Sequence, residues 1–98
     1  MNKQDIAIIE TYEEKYDHFL PVLNQLRLSL DAFEEHYQDY LDVRDFYGSD
    51  KWLELAEYDH VPVKNGILSE DQIFNLIGEH NELLGRLMTL ATQMYKDL

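Results

Sequence analysis

The sequence predicts an all-α fold in which a long, kinked N-terminal helix runs antiparallel to a C-terminal helix. A short middle helix is expected to close one end of this helical hairpin. Two long stretches place apolar residues at helical spacing, and the chain contains only four glycines and two prolines. Its 98 residues suffice for one modest core, so we expect a single helical domain over 1–98.

The first helix is predicted from one row of apolar side chains with alternating spacings of three and four residues, typical of one helix face. We call this row the N-terminal seam, and it consists of Ile9, Tyr12, Tyr16, Phe19, Leu23, Leu26, Leu30, Phe33, Tyr37 and Tyr40. The helix is expected from about Lys3 to about Asp42, with Asp5 as its N-cap.

Pro21 allows two interpretations, because proline inside a helix removes a backbone hydrogen bond. In one, the chain breaks near Leu20 and folds back. In the other, the helix continues with a kink. The seam passes Pro21 without a change of phase, and Pro21 lies on the opposite face, which favours a kinked continuous helix.

The middle of the chain is predicted to form a connector, a short helix and a loop. The connector spans 43–49 with Gly48 as its pivot. Ser49 is expected to cap a helix from Asp50 to about Tyr58, and a loop over 59–68 follows, with a tight turn at 65–66.

The last helix begins at a capping box, in which the Ser69 hydroxyl accepts from the Gln72 N–H and the Gln72 side chain returns to Ser69. It is expected to reach about Tyr95. Its apolar row, the C-terminal seam, consists of Ile73, Leu76, His80, Leu83, Leu87, Leu90 and Met94. Gly78 and Gly85 share another face, where they either admit a neighbouring helix or are merely tolerated.

The net charge of −12 disfavours direct nucleic-acid binding and binding to anionic membranes, because both need a basic surface. A basic protein partner would be attracted. The chain lacks cysteine, a signal-like N-terminal apolar stretch and a membrane-length apolar run, so we expect a cytoplasmic protein.

No catalytic, metal or cofactor site is predicted. Glu57 and His60 have the Glu-x-x-His spacing of di-iron bundles, but that site needs a second copy of the motif. Neither a nucleophile elbow nor a glycine-rich phosphate loop occurs, so we expect no enzyme. His80, in the C-terminal seam, is expected to pair with a first-helix tyrosine or a carboxylate, or to lie at the core edge.

A partner-binding site is predicted around the aromatic residues Tyr47, Trp52 and Tyr58, since tyrosine and tryptophan are enriched at interface hot spots. The competing interpretation is that these rings close the end of the bundle. An acidic rim of Glu35, Asp39 and Asp42 is expected beside them.

The acidic residues are concentrated between 31 and 59, where ten acids face only Arg44 and Lys51, a local charge of −8. The acids of this stretch are Asp31, Glu34, Glu35, Asp39, Asp42, Asp45, Asp50, Glu54, Glu57 and Asp59. The function we expect is a non-catalytic protein-interaction or regulatory module. The alternative is an acidic nucleic-acid mimic that occupies a basic protein groove, and a small-molecule enzyme is the third choice.

A homodimer is also expected. The part of the N-terminal seam that contains Leu23, Leu26 and Leu30 is too large for one long and one short helix to cover. Two copies of the hairpin would complete a four-helix bundle.

Two segments resemble a known family. These are Phe46-Tyr47-Gly48-Ser49, followed by Trp52, and Gly66-Ile67-Leu68-Ser69-Glu70-Asp71. The chain resembles the bacterial domain-of-unknown-function family number 4298, apart from Phe46 where a second tyrosine is expected. The resemblance implies a small, stand-alone, cytoplasmic bacterial protein and no particular activity.

Overall fold

The computed structural model describes residues 1–98 and contains three α-helices, one 3-10 turn and no strand. The elements are α1 (Lys3–Phe46), α2 (Asp50–Ala56), the 3-10 turn (Gly66–Leu68) and α3 (Glu70–Lys96). The all-α prediction of two long helices joined through a short one is therefore confirmed. The antiparallel packing of the long helices stays a prediction.

The contacts divide the chain into two compact units, Met1–Gln38 and Asp39–Leu98. The first unit consists of most of α1. The second holds the last turns of α1 together with α2, the 3-10 turn and α3. Folding of the chain as one domain stays a prediction.

Helix α1 runs without a break through Pro21, so the predicted continuity is confirmed. Its N-cap is Asn2 and not Asp5, because the helix begins two residues before Asp5. The backbone N–H of Asp5 donates to Asn2 Oδ1 over 2.7 Å. Asp5 instead lies in the first turn, where the helix dipole favours a carboxylate.

The connector after α1 is shorter than predicted, since the helix continues past Asp42 to Phe46. The chain leaves the helix at Tyr47, whose N–H donates to Val43 O over 3.1 Å. Gly48 then adopts φ +75, in the left-handed region that favours glycine. The predicted pivot at Gly48 is confirmed.

Both predicted serine caps are present. The Ser49 hydroxyl accepts from the Trp52 N–H at 3.2 Å and starts α2, which ends at Ala56. The Ser69 hydroxyl accepts from the Gln72 N–H at 3.4 Å and starts α3. The return bond of the capping box is replaced, because the Ser69 N–H donates to Gly66 O of the 3-10 turn over 2.9 Å.

Candidate functional site

Trp52 organises the junction between the helices in the unit Asp39–Leu98. Its indole N–H donates to the backbone carbonyl of Ile67 over 2.9 Å. Its ring stacks on Tyr47 with centroids 5.0 Å apart and planes 6° from parallel. Only 8% of Trp52 is exposed. The indole therefore joins the start of α2, the end of α1 and the 3-10 turn.

Ile73, in the first turns of α3, is the most deeply buried side chain of the chain, with 1% exposure. The Ser69 cap lies four residues before it. Because Trp52 and Ile73 are the two buried apolar residues, the core of this unit lies at the junction and not along the length of α3.

Tyr40 and His80 form a second link within this unit. Their rings stack with centroids 4.1 Å apart and planes 11° from parallel. His80 Nδ1 also lies 3.0 Å from Asn81 Oδ1. Of the alternatives for His80, the stack on Tyr40 corresponds to pairing with a first-helix tyrosine, and the half-buried ring with its Asn81 contact also fits a histidine at the core edge. The stack holds the last turns of α1 against α3.

The loop between α2 and α3 forms one wall of an apolar groove with a volume of about 340 Å³. Phe46 of α1 and Leu55 of α2 line it from the helices, and Tyr58, Val61, Pro62 and Val63 line it from the loop. Tyr58 is 62% exposed. The groove therefore presents one accessible aromatic side chain.

Tyr47, Trp52 and Tyr58, the aromatic residues of the predicted partner-binding site, differ in exposure. Trp52 is buried and Tyr47 is half-buried against it, because their stacked rings close the junction. Tyr58 alone of the three is exposed. The groove beside Tyr58 was not predicted, because its walls come from short loop segments with no periodic pattern.

The acidic residues of the predicted rim, Glu35, Asp39 and Asp42, are all exposed on α1. The two bases of the acidic stretch pair with near neighbours in the sequence. Arg44 Nη2 lies 3.2 Å from Asp45 Oδ1, and Lys51 Nζ lies 3.2 Å from Glu54 Oε2. Both ion pairs are exposed, so each contributes little to stability.

The N-terminal seam is the largest apolar feature of the unit Met1–Gln38. All its members from Ile9 to Phe33 are exposed, and Tyr37 is half-buried. Tyr12 is 66% exposed and Leu23 is 40% exposed. In the second unit, the C-terminal seam beyond His80 is exposed as well. Both seams were predicted from their spacing.

Gly78 and Gly85 lie in open surroundings, where an added Cβ would meet no atom within 4 Å. Both interpretations, that these glycines admit a neighbouring helix and that they are merely tolerated, stay predictions.

No group of three or more histidine or acidic residues is arranged to hold a metal ion. None of the helices combines the length and apolar character that crossing a bilayer requires. Two of the serines, Ser49 and Ser69, use their hydroxyl oxygens as helix caps. The remaining one, Ser29, accepts a 3.4 Å hydrogen bond from Gln25 Nε2 one turn earlier in α1.

These features define a small all-α protein with exposed helical seams and a tight aromatic junction. A family described as "Domain of unknown function (DUF4298)" matches residues 9–90. The chain belongs to this family, as the two segments around Trp52 and Ser69 predicted. No curated protein matches the chain.

Proposed function

We propose that the chain is a non-catalytic protein-interaction or regulatory module that binds other proteins through its helical faces. The observation that carries this proposal is the exposure of the N-terminal seam from Ile9 to Phe33. Burying one such leucine or phenylalanine completely contributes about 1.5–3 kcal/mol. Burial of a continuous row of this length therefore strongly favours association. Exposed apolar patches of this kind mark interaction surfaces.

The acidic surface supplies the second part of the proposal. Glu35, Asp39 and Asp42 follow one another on α1 at spacings of four and three residues, so they share one helix face. A basic partner would be steered to that face, since complementary exposed charge mainly raises the association rate. Tyr58 and its apolar groove replace Trp52 as the aromatic contact of the proposed site.

In this role the chain has no catalytic residue, metal or cofactor and acts in the bacterial cytoplasm. The partners are a second copy of the chain and a basic protein. Support for a non-catalytic role comes from Ser49 and Ser69, whose hydroxyl oxygens are committed to helix capping.

The acidic nucleic-acid mimic is the second candidate. The observation that favours it is the exposure of the α1 acids Asp31, Glu34, Glu35, Asp39 and Asp42. A mimic would compete with DNA or RNA for its partner, whereas an ordinary interaction module would not.

Chemical cross-linking in the native host, followed by mass spectrometry, tests the proposal. We expect other proteins to be cross-linked to the seam of the wild-type chain. In the Leu23→Asp variant, the cross-links to the seam should be lost. The matched control, Leu28→Asp, changes an exposed leucine off the seam of the same helix and should keep them. A chain that cross-links to no protein, itself included, would contradict the proposal. Release of a basic partner by added DNA would favour the mimic.

A further inference from the structure

We propose that a second copy of this chain covers the N-terminal seam, with the two α1 helices antiparallel and centred on Pro21. The inference rests on the proposed function, because it names the partner of one of its surfaces. It concerns only 9–33, within the unit Met1–Gln38.

Side-chain size along the seam carries the first part of the argument. The first half of the seam is mainly aromatic and the second half mainly aliphatic. In an antiparallel pair centred on Pro21, each layer joins one aromatic and one aliphatic side chain, one from each copy. The layers are Ile9 with Phe33, Tyr12 with Leu30, Tyr16 with Leu26, and Phe19 with Leu23. Alternation of large and small side chains across facing positions is what close packing requires.

Charge beside the seam points to the same alignment. One flanking row, at intervals of seven residues, contains Glu13, Leu20 and Arg27. In an antiparallel pair centred on Pro21, Glu13 of each copy faces Arg27 of the other, so two opposite-charge pairs form. Leu20 meets Leu20 between them. Flanking charges of this kind set partner choice and orientation in helical pairs.

The other flanking row fits as well. Val22 of one copy meets Val22 of the second copy beside the centre, and Lys15 faces the uncharged Ser29. Like charges therefore do not face each other on either side of the contact. Pro21 itself lies on the outer face, where its missing N–H does not disturb the packed side chains.

An antiparallel pair shifted by seven residues in register towards the C-terminus packs less well than the pair centred on Pro21, for three reasons. It places Tyr12 against Tyr37 and Tyr16 against Phe33, so aromatic rings face aromatic rings in these layers. It sets Glu13 against Glu34. It also requires Tyr40, which already stacks on His80 of its own chain.

The parallel arrangement loses the size match, because every layer then pairs a residue with itself, as in Tyr12 with Tyr12. Neither Glu13 nor Arg27 gains an opposite charge across the contact. The shift of seven residues towards the N-terminus leaves Leu30 and Phe33 uncovered. The antiparallel pair centred on Pro21 is the arrangement that satisfies both size and charge.

The contact is long enough to be stable. From Ile9 to Phe33 the seam extends about 36 Å along the helix at 1.5 Å per residue. Eight seam side chains per copy lie along this length, and all of them are exposed.

The absence of cysteine from the chain makes disulfide trapping a direct test. The Glu13→Cys chain and the Arg27→Cys chain are mixed and oxidised. The disulfide between positions 13 and 27 should form in preference to the 13–13 and 27–27 disulfides, because a disulfide needs Cα atoms within about 7 Å and the proposed pair places position 13 opposite position 27. The control pair is Glu14→Cys with Leu28→Cys, which lies at the same level along the helix but on the outer face. It should remain largely unlinked.

Two further pairs identify the competing arrangements. A mixed disulfide between Glu13→Cys and Glu34→Cys indicates the shifted register, and a symmetric disulfide of Leu23→Cys indicates a parallel pair. The proposal is overturned if either of these two disulfides is the main product. It is also overturned if the disulfide between positions 13 and 27 forms in no greater yield than that of the control pair. The proposed function survives those results if Leu23→Asp still abolishes cross-linking to a different host protein.

A charge exchange provides a second measurement without cysteine. Glu13→Arg should weaken dimerisation about tenfold, because two attractive pairs become repulsive. Adding Arg27→Glu to the same chain should restore the wild-type dissociation constant. If the double variant is weaker than Glu13→Arg alone, these two residues do not face each other and the register is wrong.

Discussion

The indole N–H of Trp52 donates to the carbonyl oxygen of Ile67 across 2.9 Å. This bond connects α2 to the turn that precedes α3, and the Tyr47 ring stacks on a face of the indole. This bond and the Tyr40–His80 stack both fix α3 within its unit. Trp52 therefore has a structural role at the centre of its unit, where 8% of its surface is exposed.

Trp52→Phe should destabilise the unit by about 1–3 kcal/mol, because the ring still packs but the Ile67 carbonyl loses its donor. Trp52→Ala should cost more, about 3–5 kcal/mol, since the stack on Tyr47 is lost as well. Urea denaturation measures both. Tyr58→Ala, at an exposed aromatic position, is the control and should leave the midpoint nearly unchanged. Equal midpoints for Trp52→Phe and the wild type would show that the hydrogen bond contributes nothing.

Ser69→Ala should cost about 1 kcal/mol, because the Gln72 N–H loses its acceptor at the start of α3. Thermal or urea denaturation gives the value. Ser29→Ala is the control, because it removes a hydroxyl from the interior of α1 that caps no helix. It should change the free energy of unfolding by less than half as much as Ser69→Ala. An unchanged midpoint for Ser69→Ala would mean that the cap is not formed in solution.

Two glycines should respond to alanine in opposite directions. Gly48→Ala should destabilise by about 1–2 kcal/mol, since a Cβ strains the left-handed backbone conformation at φ +75. Gly78→Ala should stabilise α3 by about 1 kcal/mol, because its surroundings are open and alanine is the better helix former. Destabilisation by Gly78→Ala would indicate that another protein approaches α3 closely at this position.

The helices and their caps were predictable because they depend on local signals. The spacing of the N-terminal seam and the position of Pro21 on the opposite face predicted a continuous α1. The two serines correctly predicted where α2 and α3 begin. The Asp5 cap was wrong by three residues, since both Asn2 and Asp5 are good capping residues and local sequence does not choose between them.

The site was predicted less well, because burial depends on contacts between distant residues. Composition alone does not distinguish an exposed tryptophan from one that reaches a carbonyl in a loop fifteen residues further along the chain. The sequence left a tyrosine partner, a carboxylate partner and a core-edge position open for His80, because its place in an apolar seam does not choose among them. The groove beside Tyr58 depends on how the loop over 59–65 folds, for which the sequence offered only a turn signal.

Binding of a basic partner should weaken with added salt, chiefly through a slower association rate, because screening acts on exposed charge. The triple variant Glu35→Gln, Asp39→Asn, Asp42→Asn should show the same slower association at low salt. Surface plasmon resonance measures this rate. The control replaces Glu10, Glu14 and Asp17, near the N-terminal end of α1, by amides and should leave the rate unchanged. Salt-insensitive association and full binding by the first variant would together exclude the acidic surface.

Sedimentation velocity over low to high micromolar concentrations is the most direct test of the central claim, that another protein surface must cover the N-terminal seam. The wild-type chain should sediment as a dimer. Leu23→Asp should sediment as a monomer, whereas Leu28→Asp, off the seam of the same helix, should remain a dimer. A wild-type chain that stays monomeric at high micromolar concentration, with α1 still helical by circular dichroism, would contradict self-association through the seam.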